Sequence, residues 1–128
     1  KHDLMCLLKD LKKSGKVIFG YGASGRANTI IQYCHISDDI LDCIIDDASA
    51  KHGFYMPGSH FAIKTRDFFK AKPPDYVLLF AWSFLKEIVD KNIDYLHQGG
   101  KFIIPLPKVK IISWSNGEIV EKLYEDLA

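Results

Sequence analysis

The chain has 128 residues, a length that suits one domain with one hydrophobic core. Its 17 basic and 16 acidic residues give a net charge of +1, which does not support nucleic acid binding because that function needs clustered excess Lys and Arg. No apolar run approaches about 18 residues, so the sequence predicts no membrane span and no membrane partner.

The cysteines Cys6, Cys34 and Cys43 are an odd number and lack the paired spacing of a metal site. Cys34 and Cys43 lie inside apolar runs, which favours buried thiols in a reducing compartment. The sequence contains no recognisable signal peptide, so we expect a cytoplasmic protein without a metal ion. The chain begins at Lys1 rather than at a methionine, and we therefore expect a piece of a longer protein.

The first half of the chain alternates helical and strand patterns. Four leucines from Leu4 to Leu11 have the spacing of an amphipathic helix, which Gly15 ends. A second helical pattern follows Ser24, a favourable N-cap, and continues to Cys34. Short apolar and β-branched runs predict strands over residues 17–19, 40–45, 61–63, 76–81, 102–104 and 109–114.

Two further helices are predicted in the second half. Thr65 is placed to cap a short helix that ends before Pro73, and Ser83 is placed to cap a longer one that ends at Gly99. The predicted buried face of the longer helix comprises Phe84, Leu85, Ile88 and Leu96. Residues 48–60 break both periodicities and predict a loop, whereas residues 118–128 predict either a helix or a fraying strand.

Strands that alternate with helices indicate an α/β fold with a mostly parallel sheet. We expect one Rossmann-like domain over residues 1–128, a three-layer sandwich of about five to six strands with helices on both faces. Ligands of such sheets bind beyond the carboxyl ends of the strands, where the strand order reverses. Segments 20–26, 46–47 and 82–83 and residue Pro105 follow predicted strands and are therefore the first candidates for a site.

A glycine-rich turn follows the first predicted strand. Gly20, Gly22 and Gly25 fit G-x-G-x-x-G between a strand and a helix, the context that this motif requires. On this interpretation Gly20 allows a tight turn, Gly22 a close approach of the backbone to a ligand, and Gly25 close packing of the helix on the strand. The start of the helix offers unpaired N–H groups to an anion, for which a phosphate or pyrophosphate is the best candidate.

Two charged residues near the turn allow opposed readings. Asp46 follows Gly25 by roughly 20 residues, the position at which a carboxylate binds the ribose of NAD, although an Asx turn explains it equally well. Arg26 lies in the first helical turn, where a cation opposes the helix dipole. An anionic ligand would offset that cost, and an arginine directed at water is the alternative.

Three other residues are weaker candidates for the ligand site. His60 lies in a loop that we expect near the strand ends, where it could touch a ligand. Trp82 follows the fourth predicted strand and could stack on a base or sugar, or be a buried aromatic beneath a loop. Tyr21, inside the glycine turn, is predicted to point outward. No acidic residue precedes Gly20, as the usual S-adenosylmethionine site would require.

Several segments together resemble one family. They are residues 20–29, 46–47, 51–53, 55–60, 81–84 and 99–107, which read GYGASGRANT, DD, KHG, YMPGSH, AWSF and GGKFIIPLP. In this order they are similar to the C-terminal domain of S-adenosylmethionine-dependent C-methyltransferases, which methylate nucleotide-linked deoxysugars. The resemblance covers most of residues 1–113 and does not extend beyond Ser115.

The resemblance implies that a zinc-binding domain and a central cofactor domain precede this one. The central domain would hold the S-adenosylmethionine and the catalytic base, so this domain would have no catalytic residue and no cofactor of its own. It would close over a nucleotide-linked sugar or a similar anionic molecule. The cleft candidates are Gly20, Tyr21, Gly22, Ala23, Ser24, Gly25, Arg26, Asp46, Lys51, His60 and Trp82.

Two alternatives stay open at this point. An NAD(P)-binding oxidoreductase domain would use the glycine turn together with Asp46. A structural or oligomerising module would leave the turn without a ligand.

Overall fold

Short apolar strands alternate with helices along the chain and join in one mixed sheet. The computed structural model describes residues 2–23, 25–47, 55–56 and 60–127. The α-helices are α1 (His2–Lys13), α2 (Gly25–Cys34), α3 (Arg66–Ala71), α4 (Leu85–Lys91) and α5 (Ile93–His97). The strands are β1 (Ile18–Tyr21), β2 (Ile44–Ile45), β3 (Ile63–Lys64), β4 (Tyr76–Leu79), β5 (Lys101–Ile104), β6 (Lys110–Ser115) and β7 (Glu118–Leu123). Two 3-10 helices cover Trp82–Phe84 and Tyr124–Asp126.

The strand order is β3-β2-β1-β4-β5-β6-β7. The first five strands of this order pair in parallel, and β6 and β7 then add in antiparallel fashion. This arrangement confirms the predicted Rossmann-like α/β fold. The sheet has seven strands in the described ranges instead of five or six, because the segment after residue 117 forms β7.

Two hydrophobic clusters sandwich the sheet. Alternate residues of each strand face opposite sides, so Ile18 joins the cluster with α1 and α2. Phe19 joins the other, which includes buried residues of α3, α4 and α5. Each fully buried aliphatic side chain contributes roughly 1.5–3 kcal/mol, so both layers stabilise the fold. The helices on both faces were predicted correctly.

Two local predictions are confirmed, the cap of α3 and the burial of two cysteines. The Thr65 hydroxyl caps α3 by accepting a hydrogen bond from the Phe68 N–H at 3.1 Å. Cys34 and Cys43 are both buried. Across the described ranges, every helix is too short or too polar to span a bilayer.

The second strand is shorter than predicted. The apolar run over residues 40–45 suggested one continuous strand, but only Ile44 and Ile45 pair. Ile40 and Leu41 instead donate their N–H groups to the Ser37 carbonyl, at 3.0 and 3.2 Å, at the end of a turn whose residues 37–39 are exposed, although Ile40 and Leu41 themselves are buried. An apolar run indicates that residues are buried, and here the buried residues Ile40 and Leu41 lie outside the strand.

The helix predicted from Ser83 is also different. It begins as a 3-10 helix and divides into α4 and α5 at Asn92. Ser83 does not cap it, and Phe84, predicted on its buried face, is 58% exposed. Ile88 and Leu96 are buried as predicted.

Gly20 lies within β1 and not in a turn, which corrects its predicted role. A Cβ atom at this position would lie 2.6 Å from Phe80 Cε2 and 3.2 Å from Ile44 Cγ1. Phe80 is fully buried, so its ring has little freedom to move away. The absence of a side chain at Gly20 is therefore a packing requirement.

We predict that Gly20→Ala lowers the free energy of unfolding by about 1–3 kcal/mol, because the added methyl group overpacks the core. Urea denaturation measures the change. The matched variant is Gly20→Ala combined with Phe80→Leu, which provides room for the methyl group. The double variant should lose less stability than the sum of the two single variants, and a simple sum would contradict the predicted contact.

Candidate functional site

The candidate site lies where the order of the strands in the sheet reverses, between β1 and β4. The chain adds strands on one side of β1 as far as β3 and then returns to add β4 on the other side. The carboxyl ends of β1 and β4 therefore flank the switch point at which α/β sheets bind ligands. Backbone hydrogen bonds hold this edge: the Gly22 N–H donates to the Ile45 carbonyl at 2.8 Å and the Phe80 N–H to the Tyr21 carbonyl at 3.0 Å.

Gly22 makes the turn after β1. Its φ of +99° lies in the region that glycine adopts without strain. A Cβ atom there would lie 3.2 Å from the Ala81 Cβ, so the close approach is to the segment after β4. The approach of Gly22 to a ligand stays a prediction. Gly25 begins α2 as expected, and Ser24 lies outside the described residues.

Arg26 joins the two sides of the switch point. It lies exposed in the first turn of α2, and its Nη1 donates a hydrogen bond of 2.6 Å to the Ser83 hydroxyl. Its guanidinium carbon lies 5.1 Å from the centre of the Trp82 ring, within the range of a cation–π contact. No ion pair joins it to a carboxylate of the described residues. The predicted residues Arg26 and Trp82 are therefore brought together, with the cation available to an anion.

Asn28, two residues after Arg26 and therefore on a different face of α2, has a buried Oδ1 without a donor among the described residues. A buried acceptor without a partner costs about 1–3 kcal/mol. The start of α2 thus combines an exposed cation with an unsatisfied acceptor.

Asp46 is a buried residue, 8% exposed, at the end of β2. Its Oδ2 accepts a hydrogen bond of 2.7 Å from the Ala23 N–H, and its own N–H donates to the Lys64 carbonyl. A carboxylate bound to the backbone of the glycine turn shapes that turn. This arrangement gives no support to the role of ribose acceptor in an NAD site.

Tyr21 does not point outward as predicted. It is 2% exposed, and its hydroxyl donates to the Asp47 carboxylate, 2.9 Å from Oδ2 and 3.0 Å from Oδ1. Burial raises the pKa of Tyr21 from 10.0 to about 12. The side chain supports the end of β1 from within the protein and is not available to a ligand.

Asp47 is the centre of a polar cluster that sequence reasoning missed. Lys91 Nζ lies 2.9 Å from its Oδ2 and Arg66 Nε lies 3.6 Å from its Oδ1. The buried Asn92 side chain accepts from Arg66 Nη2 at 3.1 Å and donates to the Ile88 carbonyl at 2.8 Å. An asparagine within an apolar helical pattern was the available signal, since a buried amide needs partners.

A depression of about 230 Å³ lies beside this cluster. Arg66, Lys70, Lys91 and Asn92 contribute to its lining. Arg26 and Trp82 do not line it, so it is separate from the switch point. Among the residues that the structure describes, no group of three or more His, Cys, Asp or Glu side chains could hold a metal ion.

His60 is not placed beside Arg26. It precedes β3, which runs parallel to β2, so it lies toward the amino edge of the sheet, opposite the switch point. Its neighbour Phe61 lines a depression with His35 and Ile36, which follow the end of α2. The expectation that His60 lies at the ligand edge was wrong. Lys51 lies outside the described residues.

Comparison with known proteins gives two matches. The model of a protein family described as "C-methyltransferase C-terminal domain" matches residues 1–107. A curated protein named C-methyltransferase NovU, from Streptomyces niveus, is 32% identical over 107 residues. That alignment covers 84% of this chain and 26% of the relative, so the chain spans about a quarter of the relative's length.

We predict that Asp46→Ala destabilises the domain by about 1–3 kcal/mol, because the Ala23 N–H loses a buried acceptor. Asp46→Asn retains an oxygen acceptor and should cost less. Thermal or urea denaturation measures both variants. Full stability of Asp46→Ala would contradict the proposed support of the glycine turn.

We also predict a pH effect that depends on Tyr21. Its pKa is higher in the folded protein, so its contribution is complete below pH 10.0 and is lost as the pH rises toward about 12. Tyr21→Phe should therefore show a flatter decline of unfolding free energy in this range, with a difference of order 2 kcal/mol. Urea denaturation across the alkaline range measures it. Equal declines in the two proteins would contradict the assignment.

Proposed function

Because the chain belongs to the C-methyltransferase C-terminal domain family, we propose that it is the substrate-binding domain of a sugar C-methyltransferase. It binds a nucleotide-linked sugar at the switch point and closes the cleft over it. The observation that carries this proposal is Arg26, held across the switch point by Trp82 and Ser83. A cation and an aromatic face at the start of a helix suit a phosphorylated molecule with a planar base.

The contact between Arg26 and Ser83 supports a closing motion of the side chains. Arg26 Nη1 donates to a neutral hydroxyl, whereas a phosphate would add the opposite charge and could accept two parallel hydrogen bonds from the guanidinium. A diphosphate would therefore compete with Ser83 for the guanidinium. Its arrival would move Arg26 relative to the Trp82 ring, which makes Trp82 a reporter of binding.

The residues of this chain do not fit the methyl donor. The strand before the glycine turn supplies Ile18 and Phe19, both buried in the core, where a donor site would require a carboxylate. The Asp46 carboxylate is bound to the Ala23 N–H. In our proposal S-adenosylmethionine and the catalytic base therefore belong to a preceding central domain of the same protein, and this domain supplies no catalytic residue.

An exposed apolar surface next to the site supports contact with such a domain. Phe84 follows Ser83 directly and is largely exposed, although it begins a segment whose later residues are buried. A preceding domain that packs against Phe84 would cover this ring and close the cleft above Trp82. The NAD-dependent alternative has no comparable support.

We predict that Arg26→Ala weakens binding of a deoxythymidine-diphospho sugar about tenfold or more, as expected for a lost charge-assisted hydrogen bond. Fluorescence titration measures it in a Trp114→Phe background, in which Trp82 is the remaining tryptophan. Arg26→Lys, which retains the charge but not the planar group, is the matched control and should lose less affinity.

Titration with NAD under the same conditions tests the alternative. Tight NAD binding with no response to the sugar nucleotide would contradict the proposal. A protein that responds to neither ligand would also contradict binding by this chain alone.

A further inference from the structure

The hairpin of β6 and β7 ends the sheet and lies outside the family match, which stops at residue 107. Asn116 and Gly117 form its two-residue loop, and their φ values of 53° and 82° are those of a type I′ turn. In the described part of the chain, β7 has a neighbour on one side only. Its outer backbone edge is available for pairing.

The loop fixes which backbone groups of β7 face outward. In a two-residue hairpin the pair flanking the loop, here Ser115 and Glu118, exchanges both of its hydrogen bonds. Because this pattern alternates along the strand, Ile119, Glu121 and Leu123 direct their N–H and C=O groups away from β6. A partner strand must pair with these residues.

We propose that β7 pairs in antiparallel fashion with β7 of a second copy of this chain, so that the two sheets become continuous. A register centred on Val120 opposite Val120 of the second copy pairs the outward-facing backbone groups of Ile119 and Glu121. In this register Ile119 lies opposite Glu121 of the second copy, with its outward hydrogen bonds made. The same pairing occurs twice by symmetry.

Charge complementarity selects this partner and this register. Glu118 lies opposite Lys122 of the second copy, and Lys122 lies opposite Glu118, which gives two attractive cross-strand pairs. Both occupy positions without backbone hydrogen bonds across the new interface, where side chains approach most closely. A register centred on Glu121 would instead place two glutamates opposite each other.

The neighbouring side chains leave these charges available. Glu118 and Lys122 are exposed, and their partners across the hairpin, Ser115 and Ile111, are uncharged. Glu121 is already paired with Lys110 at 3.0 Å on β6, which reduces repulsion between the two copies of Glu121. Ile119 is 42% exposed and would be partly covered by the second copy.

Charged residues on an edge strand usually prevent pairing with other strands. Here an antiparallel copy of residues 118–122 places each Glu118 opposite a Lys122. The same charges therefore favour pairing with a copy of β7 and disfavour pairing with unrelated strands. The interface is small, and we therefore expect a weak dimer in concentration-dependent equilibrium with the monomer.

Sedimentation equilibrium over a series of protein concentrations tests the proposal on the 128-residue chain. Glu118→Lys or Lys122→Glu alone converts two attractive pairs into two repulsive ones and should weaken dimerisation about tenfold or more. The double variant Glu118→Lys with Lys122→Glu restores opposite charges and should regain the dimer. Raising the salt concentration should weaken the unmodified dimer.

Glu87→Lys is the matched control for Glu118→Lys, because Glu87 is an exposed glutamate on α4 and both substitutions make the same change in net charge. It should dimerise like the unmodified chain. Circular dichroism and the melting temperature confirm that each variant folds. A monomer at every concentration, single variants that dimerise normally, or a double variant without recovery would each overturn the proposal.

Discussion

Two consecutive carboxylates hold the end of β1 in place, and the geometry of the switch point depends on them. Asp46 accepts a hydrogen bond from the backbone of the glycine turn at Ala23, while Asp47 accepts one from the Tyr21 side chain. The first contact holds the backbone just before α2, and the second joins β1 to the helices on one face through Lys91. Both residues follow β2, so this strand of only two residues positions the glycine turn that follows β1.

The fold could be predicted from the sequence because its signals are local and repeated. Apolar runs, helical spacing and the caps at Thr65 and Gly15 agree with one another, and together they indicate an alternating α/β sheet. Errors occurred where one signal has two causes. The apolar run that starts at Ile40 includes the buried end of a turn as well as a strand. Phe84 fits the helical spacing but lies in the 3-10 helix that precedes α4.

The candidate site was predictable in position but not in detail. The glycine pattern follows β1 as predicted, and the structure brings Arg26 and Trp82 together beside it. The partners of Tyr21, Gly22 and Asp46 could not be read from the sequence, because each contact crosses a long stretch of chain: Tyr21 with Asp47, Gly22 with Ala81, Asp46 with Ala23. The same residue types serve a ligand in one fold and the protein itself in another.

The hairpin that follows Pro107 changes the environment of β5. In a sheet that stopped at β5, the backbone of Phe102, Ile103 and Ile104 would form an open edge of strongly apolar sequence. An edge of this kind promotes aggregation. In this chain β6 pairs with that edge of β5, and the outermost strand is β7, whose sequence contains two Glu and one Lys. The hairpin outside the family match therefore covers an apolar strand edge that would otherwise be open to pairing with another chain.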